Sequence, residues 1–200
     1  MVFSKFLDMI VHLDRYIAVL TQSYGIWAYG ILFLVIFVET GLVFFPFLPG
    51  DSLLFVAGSF AAQGSLNILL LFVLFCLAAI LGDSLNYWIG HSFGTYLIRR
   101  QLIKQHYMEH TQQFYHKHGK KTIVLARFVP IIRTFAPFVA GMGKMDYSTF
   151  FLYNVLGGVL WVTFFLSLGY FFGSISYVQE HFGFFVLAII LLSLFPLVRE

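Results

Sequence analysis

The chain has 200 residues, of which 60% are hydrophobic and only 10% are charged. A soluble domain carries about 25% charged residues, so this composition excludes an ordinary soluble protein and predicts one membrane domain over residues 1–200. The formal net charge of +3 is modest, and the basic residues concentrate in one stretch, 94–121. Because apolar segments flank this stretch, it indicates membrane topology rather than a nucleic-acid site.

The first third of the chain predicts a surface helix followed by a broken membrane segment. Apolar residues at helical spacing over 3–22 predict an amphipathic helix that lies in the membrane interface. Residues 25–63 then predict an apolar helix and a re-entrant helical hairpin. The two halves of that hairpin are too short to cross a bilayer, and they are separated by the breaking residues Pro46, Pro49 and Gly50.

The rest of the chain repeats this plan. Residues 66–92 predict a transmembrane helix, and 94–121 predict a basic cytoplasmic segment. A second re-entrant hairpin is expected at 122–143, broken at Pro130 and Pro137. Transmembrane helices follow at 148–173 and 183–198. The charge distribution then places both termini in the cytoplasm.

Two short motifs occur twice in corresponding places. FVAG stands at 55–58 and 138–141, and IGHSFG at 89–94 is echoed by LGYFFG at 168–173. Each predicted repeat is therefore a hairpin followed by a full helix, and the two repeats run in opposite directions through the membrane. The predicted fold is an all-α polytopic membrane protein made of two inverted repeats, an arrangement typical of secondary transporters.

The hairpins carry like charges, two acids in the first and two arginines in the second. Glu39 and Asp51 flank one break, and Arg127 and Arg133 flank the other. Ionisable groups inside a membrane are costly and mark substrate or proton pathways. Two converging arginines suit a phosphate-bearing anion, and the acids suit pairing with the arginines or proton transfer.

A structural alternative stays open for these four residues, because they can also form buried salt bridges that only hold the hairpins together. Asp83 and Asn86 share a helix face and are secondary polar candidates, either for a polar path or for a hydrogen-bonded cluster. Asn154 is a third such candidate, with helix packing as the alternative. A histidine metal site in 94–121 has weak support, and no catalytic motif or cofactor site is expected.

These motifs resemble the DedA family of bacterial inner-membrane proteins, which is itself related to eukaryotic lipid scramblases. The resemblance covers about residues 20–175. It is carried by ETG at 39–41, PFLPGDSLLFVAG at 46–58, ARFVPIIRTFAPFVAGMG at 126–143, and Asn154 with GGVLW at 157–161. It implies two re-entrant hairpins, an essential acidic pair at Glu39 and Asp51, and an arginine pair at Arg127 and Arg133.

The resemblance also implies a function, the translocation of polyprenyl phosphates such as undecaprenyl phosphate for envelope synthesis. The expected partners are membrane lipids and protons, and the oligomeric state stays open. Two further classes of function remain. One is a proton-coupled transporter of a soluble ion or drug that supports the membrane potential. The other is a non-transporting scaffold for envelope integrity.

Overall fold

The computed structural model describes residues 25–42, 50–100, 105–173 and 175, and every regular element among them is helical. The elements are seven α-helices and one 3₁₀ turn. In chain order they are α1 (Trp27–Gly41), α2 (Gly50–Ala62), α3 (Ile68–Arg99), α4 (Gln105–His118), the 3₁₀ turn Gly119–Lys121, α5 (Thr122–Ala126), α6 (Pro130–Met142) and α7 (Tyr147–Phe172). The expected helices at 3–22 and 183–198, and the prolines Pro46 and Pro49, lie outside the described residues.

Among the described residues, two helices are long and apolar enough to cross a membrane, over Ile68–Gly94 and Tyr147–Phe172. Capping side chains define where both begin. The Asn67 carboxamide oxygen accepts the Leu70 N–H at 3.0 Å, and the Asp146 carboxylate accepts the Thr149 N–H at 2.9 Å. Each bond satisfies a backbone donor that a helix start leaves unpaired.

The second broken segment has one break, between α5 and α6. Val129 is extended, with φ −123° and ψ 104°, and Pro130 begins α6. This is the conformation that a proline imposes on the residue before it. The predicted break at Pro137 is wrong, because α6 continues through Pro137 to Met142. A proline removes one helical hydrogen bond, and the remaining bonds and packing carry the helix past it.

Helix α3 runs to Arg99 rather than ending at residue 92, and the basic stretch 94–121 contains the helix α4 as well as the end of α3. The Tyr115 hydroxyl of α4 donates a 2.9 Å hydrogen bond to the Ala136 carbonyl of α6. Burial is the main cause that raises the pKa of Tyr115, with a smaller contribution from Asp83. The basic segment is therefore anchored on the broken segment that follows it.

The described residues form two compact units. The first takes in the described parts of 1–34, 49–75 and 162–200, and the second those of 35–48 and 76–161. Helices α1, α3 and α7 each contribute to both units. Each unit contains one copy of the FVAG motif on a short helix.

In the first unit, α2 packs closely on the end of α7. A Cβ added at Gly58 would lie within 3.0 Å of the backbone of Leu166 and Tyr170, and one added at Gly169 would meet the backbone of Phe55. The Ser59 hydroxyl donates to the Gly173 carbonyl at 3.2 Å. The glycines therefore let the two helix backbones touch.

In the second unit, α6 packs on α3 through matching positions. A Cβ at Gly141 would lie within 3.0 Å of the backbone of Tyr87 and His91, and one at Gly90 would meet the backbone of Phe138. Gly141 and Phe138 occupy the same motif positions as Gly58 and Phe55. Each FVAG motif thus packs on the glycine motif of the other predicted repeat.

Candidate functional site

Glu39 is positioned by a close approach of α1 to α3 within the second unit. A Cβ added at Gly82 of α3 would collide with the Thr40 hydroxyl and lie 3.0 Å from the Phe37 carbonyl oxygen. The Thr40 hydroxyl itself is turned to its own helix, where it donates to the Ile36 carbonyl at 2.9 Å. Because Gly82 has no side chain, the end of α1 that carries Glu39 lies directly on α3.

Arg133 of α6 forms a buried ion pair with Glu39. The Arg133 Nη2 group donates to Glu39 Oε1 at 2.5 Å, and the two side chains are 8% and 6% exposed. The guanidinium carbon of Arg133 also lies 4.5 Å from the ring centroid of the fully buried Trp161 on α7. A carboxylate and an aromatic face therefore share this cation.

Arg127, which follows α5, is held by a different set of residues. Its Nη2 group donates to Asp83 Oδ2 of α3 and to Asn154 Oδ1 of α7, each at 2.5 Å. The Asn154 amide in turn donates to the Ile80 carbonyl at 3.0 Å. Arg127 is 2% exposed, so Arg127 and its two partners form a buried cluster.

Two glycines on α7 make room for the Arg127 side chain. A Cβ added at Gly157 would lie 3.0 Å from Arg127 Cδ and 3.2 Å from its Nε, and one at Gly158 would lie 3.5 Å from its Nη2. Gly157 and Gly158 stand three and four residues after Asn154, on the same helix face. This face of α7 therefore accommodates the Arg127 side chain.

Asn86 connects the helices that carry the other ion pair. Its side-chain amide donates to the Thr134 carbonyl of α6 at 2.8 Å and to the Thr40 carbonyl of α1 at 3.3 Å. Thr134 and Thr40 are the sequence neighbours of Arg133 and Glu39. Asp83 and Asn86 lie three residues apart on α3, so one face of this helix serves both arginines.

Asp51 lies in the first turn of α2 and is half-buried. It belongs to the first unit, whereas Glu39, Arg127 and Arg133 belong to the second. Its expected role beside the arginines stays a prediction. Sequence analysis made Asp83 and Asn154 only secondary candidates, yet both accept a hydrogen bond from Arg127.

A cavity of about 380 Å³ also lies in the second unit, and Tyr115, Lys120, Val139, Met142 and Gly143 are among its lining residues. Neither Arg127 nor Arg133 lines it. Among the described residues, no group of three or more His, Cys, Asp or Glu side chains is arranged to hold a metal ion. The buried charged side chains among the described residues are Glu39, Asp83, Arg127 and Arg133, and these form the two ion pairs.

Long apolar helices that enclose buried arginine–carboxylate pairs define a class of membrane protein with charged residues at its core. The VTT domain model matches residues 48–171. The chain is 52% identical over 199 residues to Protein DedA of Escherichia coli K12, covering 97% of this chain and 91% of that protein. The chain belongs to the DedA family, and the resemblance to this family that its sequence motifs indicated is confirmed.

Two further relatives have informative names. An uncharacterized membrane protein of Mycobacterium tuberculosis H37Rv is 42% identical over 172 residues, which is 84% of this chain and 75% of that protein. The inner membrane protein YqjA of Escherichia coli K12 is 34% identical over 152 residues, or 73% of this chain and 68% of that protein. No solved structure gives a significant match.

Proposed function

We propose that this protein moves lipid phosphates across the bacterial inner membrane and that Arg133 receives the phosphate headgroup. The observation that carries this proposal is the buried ion pair of Arg133 and Glu39, in which a carboxylate contacts a cation suited to phosphate. A guanidinium fork binds phosphate oxygens as readily as carboxylate oxygens. A phosphate entering the site therefore takes the place of Glu39.

The exchange has a simple charge balance. Glu39 neutralises Arg133 when the site is empty, and the phosphate does so when the site is occupied. The displaced carboxylate then needs water or a proton, since a buried unpaired charge is costly. This step links headgroup binding to proton uptake, and Asp51 is a second candidate acceptor. The polyprenyl tail remains in the lipid, so only the headgroup needs shielding.

The proposed path requires short helices that enter the membrane without crossing it. Helices α5 and α6 have 5 and 13 residues, whereas a crossing needs about 20. We interpret 122–143 as a re-entrant hairpin, and the two predicted segments that each combine a hairpin with the helix that follows it as inverted repeats. The matching glycine contacts of α2 and α6 support this interpretation. The basic segment and both termini then face the cytoplasm.

The test is a flipping assay in proteoliposomes with a fluorescent polyprenyl phosphate. Wild-type protein should speed the loss of outer-leaflet probe, and Arg133→Ala should reduce that rate to the protein-free background. Arg100→Ala is the matched control, because Arg100 is exposed and its guanidinium lies over the ring of Tyr96. Full flipping by a folded Arg133→Ala variant would remove Arg133 from the mechanism.

The same assay separates the other functions. A proton-coupled transporter of a soluble ion would carry protons across the vesicle membrane without any lipid phosphate. That result would support the second candidate, which the buried carboxylates Glu39 and Asp83 favour. A scaffold would show neither activity, and variants with acids and arginines exchanged would still complement a deletion strain. That last outcome would support ion pairs with a purely structural role.

A further inference from the structure

Asn86 is a fully buried residue of α3 that donates hydrogen bonds to the backbone of two other helices. Its Nδ2 group donates to the Thr134 carbonyl of α6 at 2.8 Å and to the Thr40 carbonyl of α1 at 3.3 Å. A carboxamide nitrogen carries two hydrogens, so it can serve both carbonyls at once. The opposite orientation would put the Oδ1 atom against two carbonyl oxygens, and the two acceptors therefore determine how the amide points.

The two carbonyls belong to the residues that follow the charged residues of an ion pair. Thr40 follows Glu39, and Thr134 follows Arg133. Neighbouring Cα atoms are about 3.8 Å apart across a planar peptide group, so each bond restrains the backbone directly beside a charged residue. The pair itself joins Arg133 Nη2 to Glu39 Oε1 at 2.5 Å. The Asn86 side chain thus restrains both backbone positions from which this ion pair is built.

Asn86 lies between two glycine contacts on the same face of α3. Gly82 and Gly90 stand four residues before and after it, a spacing that places all three residues on one helix face. Gly82 lets α1 approach at Thr40, and Gly90 lets α6 approach at Phe138. Van der Waals contacts bring each helix close to α3, whereas a hydrogen bond is directional and weakens steeply when its angle changes. The two bonds of Asn86 therefore fix the positions of α1 and α6 along α3.

We infer that Asn86 is a positioning residue, which holds Glu39 and Arg133 at ion-pair distance through the backbone of α1 and α6. Its effect on the ion pair follows from the contacts alone. Its effect on transport rests on the proposed function, because the pair must form again each time a phosphate leaves Arg133. By keeping α1 and α6 in place on α3, Asn86 lets the Glu39 carboxylate return to the same cation.

A double-mutant cycle tests this role. Asn86→Leu removes both donors at similar side-chain size, and Glu39→Leu with Arg133→Met removes the ion pair. If Asn86 positions the pair, its replacement should lower the unfolding temperature in detergent more in the wild-type background than in the background without the pair. The difference should be at least about 2 °C. Equal losses from Asn86→Leu in the two backgrounds would overturn the inference.

Ser59→Ala is the matched control for this cycle. The Ser59 hydroxyl is also buried, and it also donates to a carbonyl of another segment, that of Gly173. Its bond lies in the first unit, whereas Asn86 and the ion pair belong to the second. Ser59→Ala should therefore lower the unfolding temperature by the same amount with and without the pair.

The distance between the Arg133 guanidinium and the Glu39 carboxylate provides a readout that does not depend on stability. Solid-state NMR in liposomes should show a longer distance in Asn86→Leu and the wild-type distance in Ser59→Ala. Asn86→Ser, which keeps one hydroxyl donor on a shorter side chain, is the milder change if Asn86→Leu yields no folded protein. An unchanged distance in a folded Asn86 variant would overturn the inference.

Flipping of a fluorescent polyprenyl phosphate distinguishes this inference from the function on which its transport role rests. Folded Asn86→Leu should flip the lipid at least about threefold more slowly than wild type at saturating lipid. If the cycle shows coupling but this variant flips at the wild-type rate, Asn86 positions the pair and the proposed role of the pair in transport fails. If wild-type protein does not flip the lipid, the proposed function fails, and the cycle still decides the role of Asn86.

Discussion

Adding one methyl group at Gly90 should force α6 away from α3. A Cβ at this position would lie within 3.0 Å of the carbonyl group of Phe138, and a backbone group cannot rotate aside as a flexible side chain can. Gly30, on the exposed side of α1, has nothing within 4 Å of its added Cβ. Comparing Gly90→Ala with Gly30→Ala therefore separates the cost of the backbone contact from the gain in helix propensity.

The magnitudes follow from two opposing effects. Replacing a helical glycine by alanine gains about 1 kcal/mol of helix stability, and both variants receive this gain. Overpacking a close contact costs about 1–3 kcal/mol, and only Gly90→Ala has this cost. The two variants should therefore differ by about 1–3 kcal/mol, with Gly90→Ala the less stable.

Thermal unfolding of the purified protein in detergent measures this difference. For a chain of this length, 1 kcal/mol corresponds to a shift of about 2–4 °C in Tm. Gly169→Ala, at the corresponding position against Phe55, should behave like Gly90→Ala. If Gly90→Ala melts at or above the temperature of Gly30→Ala, the direct backbone contact between α3 and α6 is refuted.

Three further changes have expected results. Trp161→Leu should lower the free energy of unfolding by about 2 kcal/mol, because it removes the cation–π contact with Arg133. The unfolding temperature should fall, and Trp161→Phe should largely restore it. Asn154→Leu should cost about 1–3 kcal/mol by removing an acceptor from the buried Arg127, measured by the same unfolding. Asp146→Ala should lower the unfolding temperature at neutral pH only, because hydrogen bonds from Ser148 and Thr149 lower the pKa of the Asp146 carboxyl.

The sign of the Asp146 effect follows from that lowered pKa. The carboxylate contributes its full stability above its unfolded pKa of about 3.9 and loses it as the pH falls through the lower folded value. A gap between wild type and Asp146→Ala that persists unchanged at pH 2 would contradict the capping role. Equal stability of Trp161→Leu and Trp161→Phe would contradict the cation–π contact, and an Asn154→Leu variant as stable as wild type would contradict the Arg127 cluster.

Much of the helical framework was predictable from local chemistry. Two apolar stretches of spanning length became α3 and α7, and Pro130 fixed the extended Val129 before α6. The ends and breaks of the helices were less predictable. Helix α3 continues to Arg99, beyond the apolar residues that predicted it, and Pro137 lies inside α6 because one lost hydrogen bond does not end a packed helix.

The partners within the site were only partly predictable. Opposite charges in apolar segments predicted that acids and arginines pair, and Glu39 lies at Arg133. The acid that pairs with Arg127 is determined by the packing of three segments that are distant in the sequence. The spacing of residues along the chain does not specify how these segments pack. The signal that pointed to Asp83 was its position, since an ionisable group within an apolar spanning helix requires a partner.

The most direct test of the account is the distance between the Arg133 guanidinium and the Glu39 carboxylate in liposomes, measured by solid-state NMR with and without saturating polyprenyl phosphate. In the empty protein the Nη2 and Oε1 atoms should be paired, as they are at 2.5 Å in the structure. We expect that pair to separate on saturation and a contact between phosphorus and the Arg133 guanidinium to replace it. An intact pair in protein that is flipping the lipid would contradict the exchange.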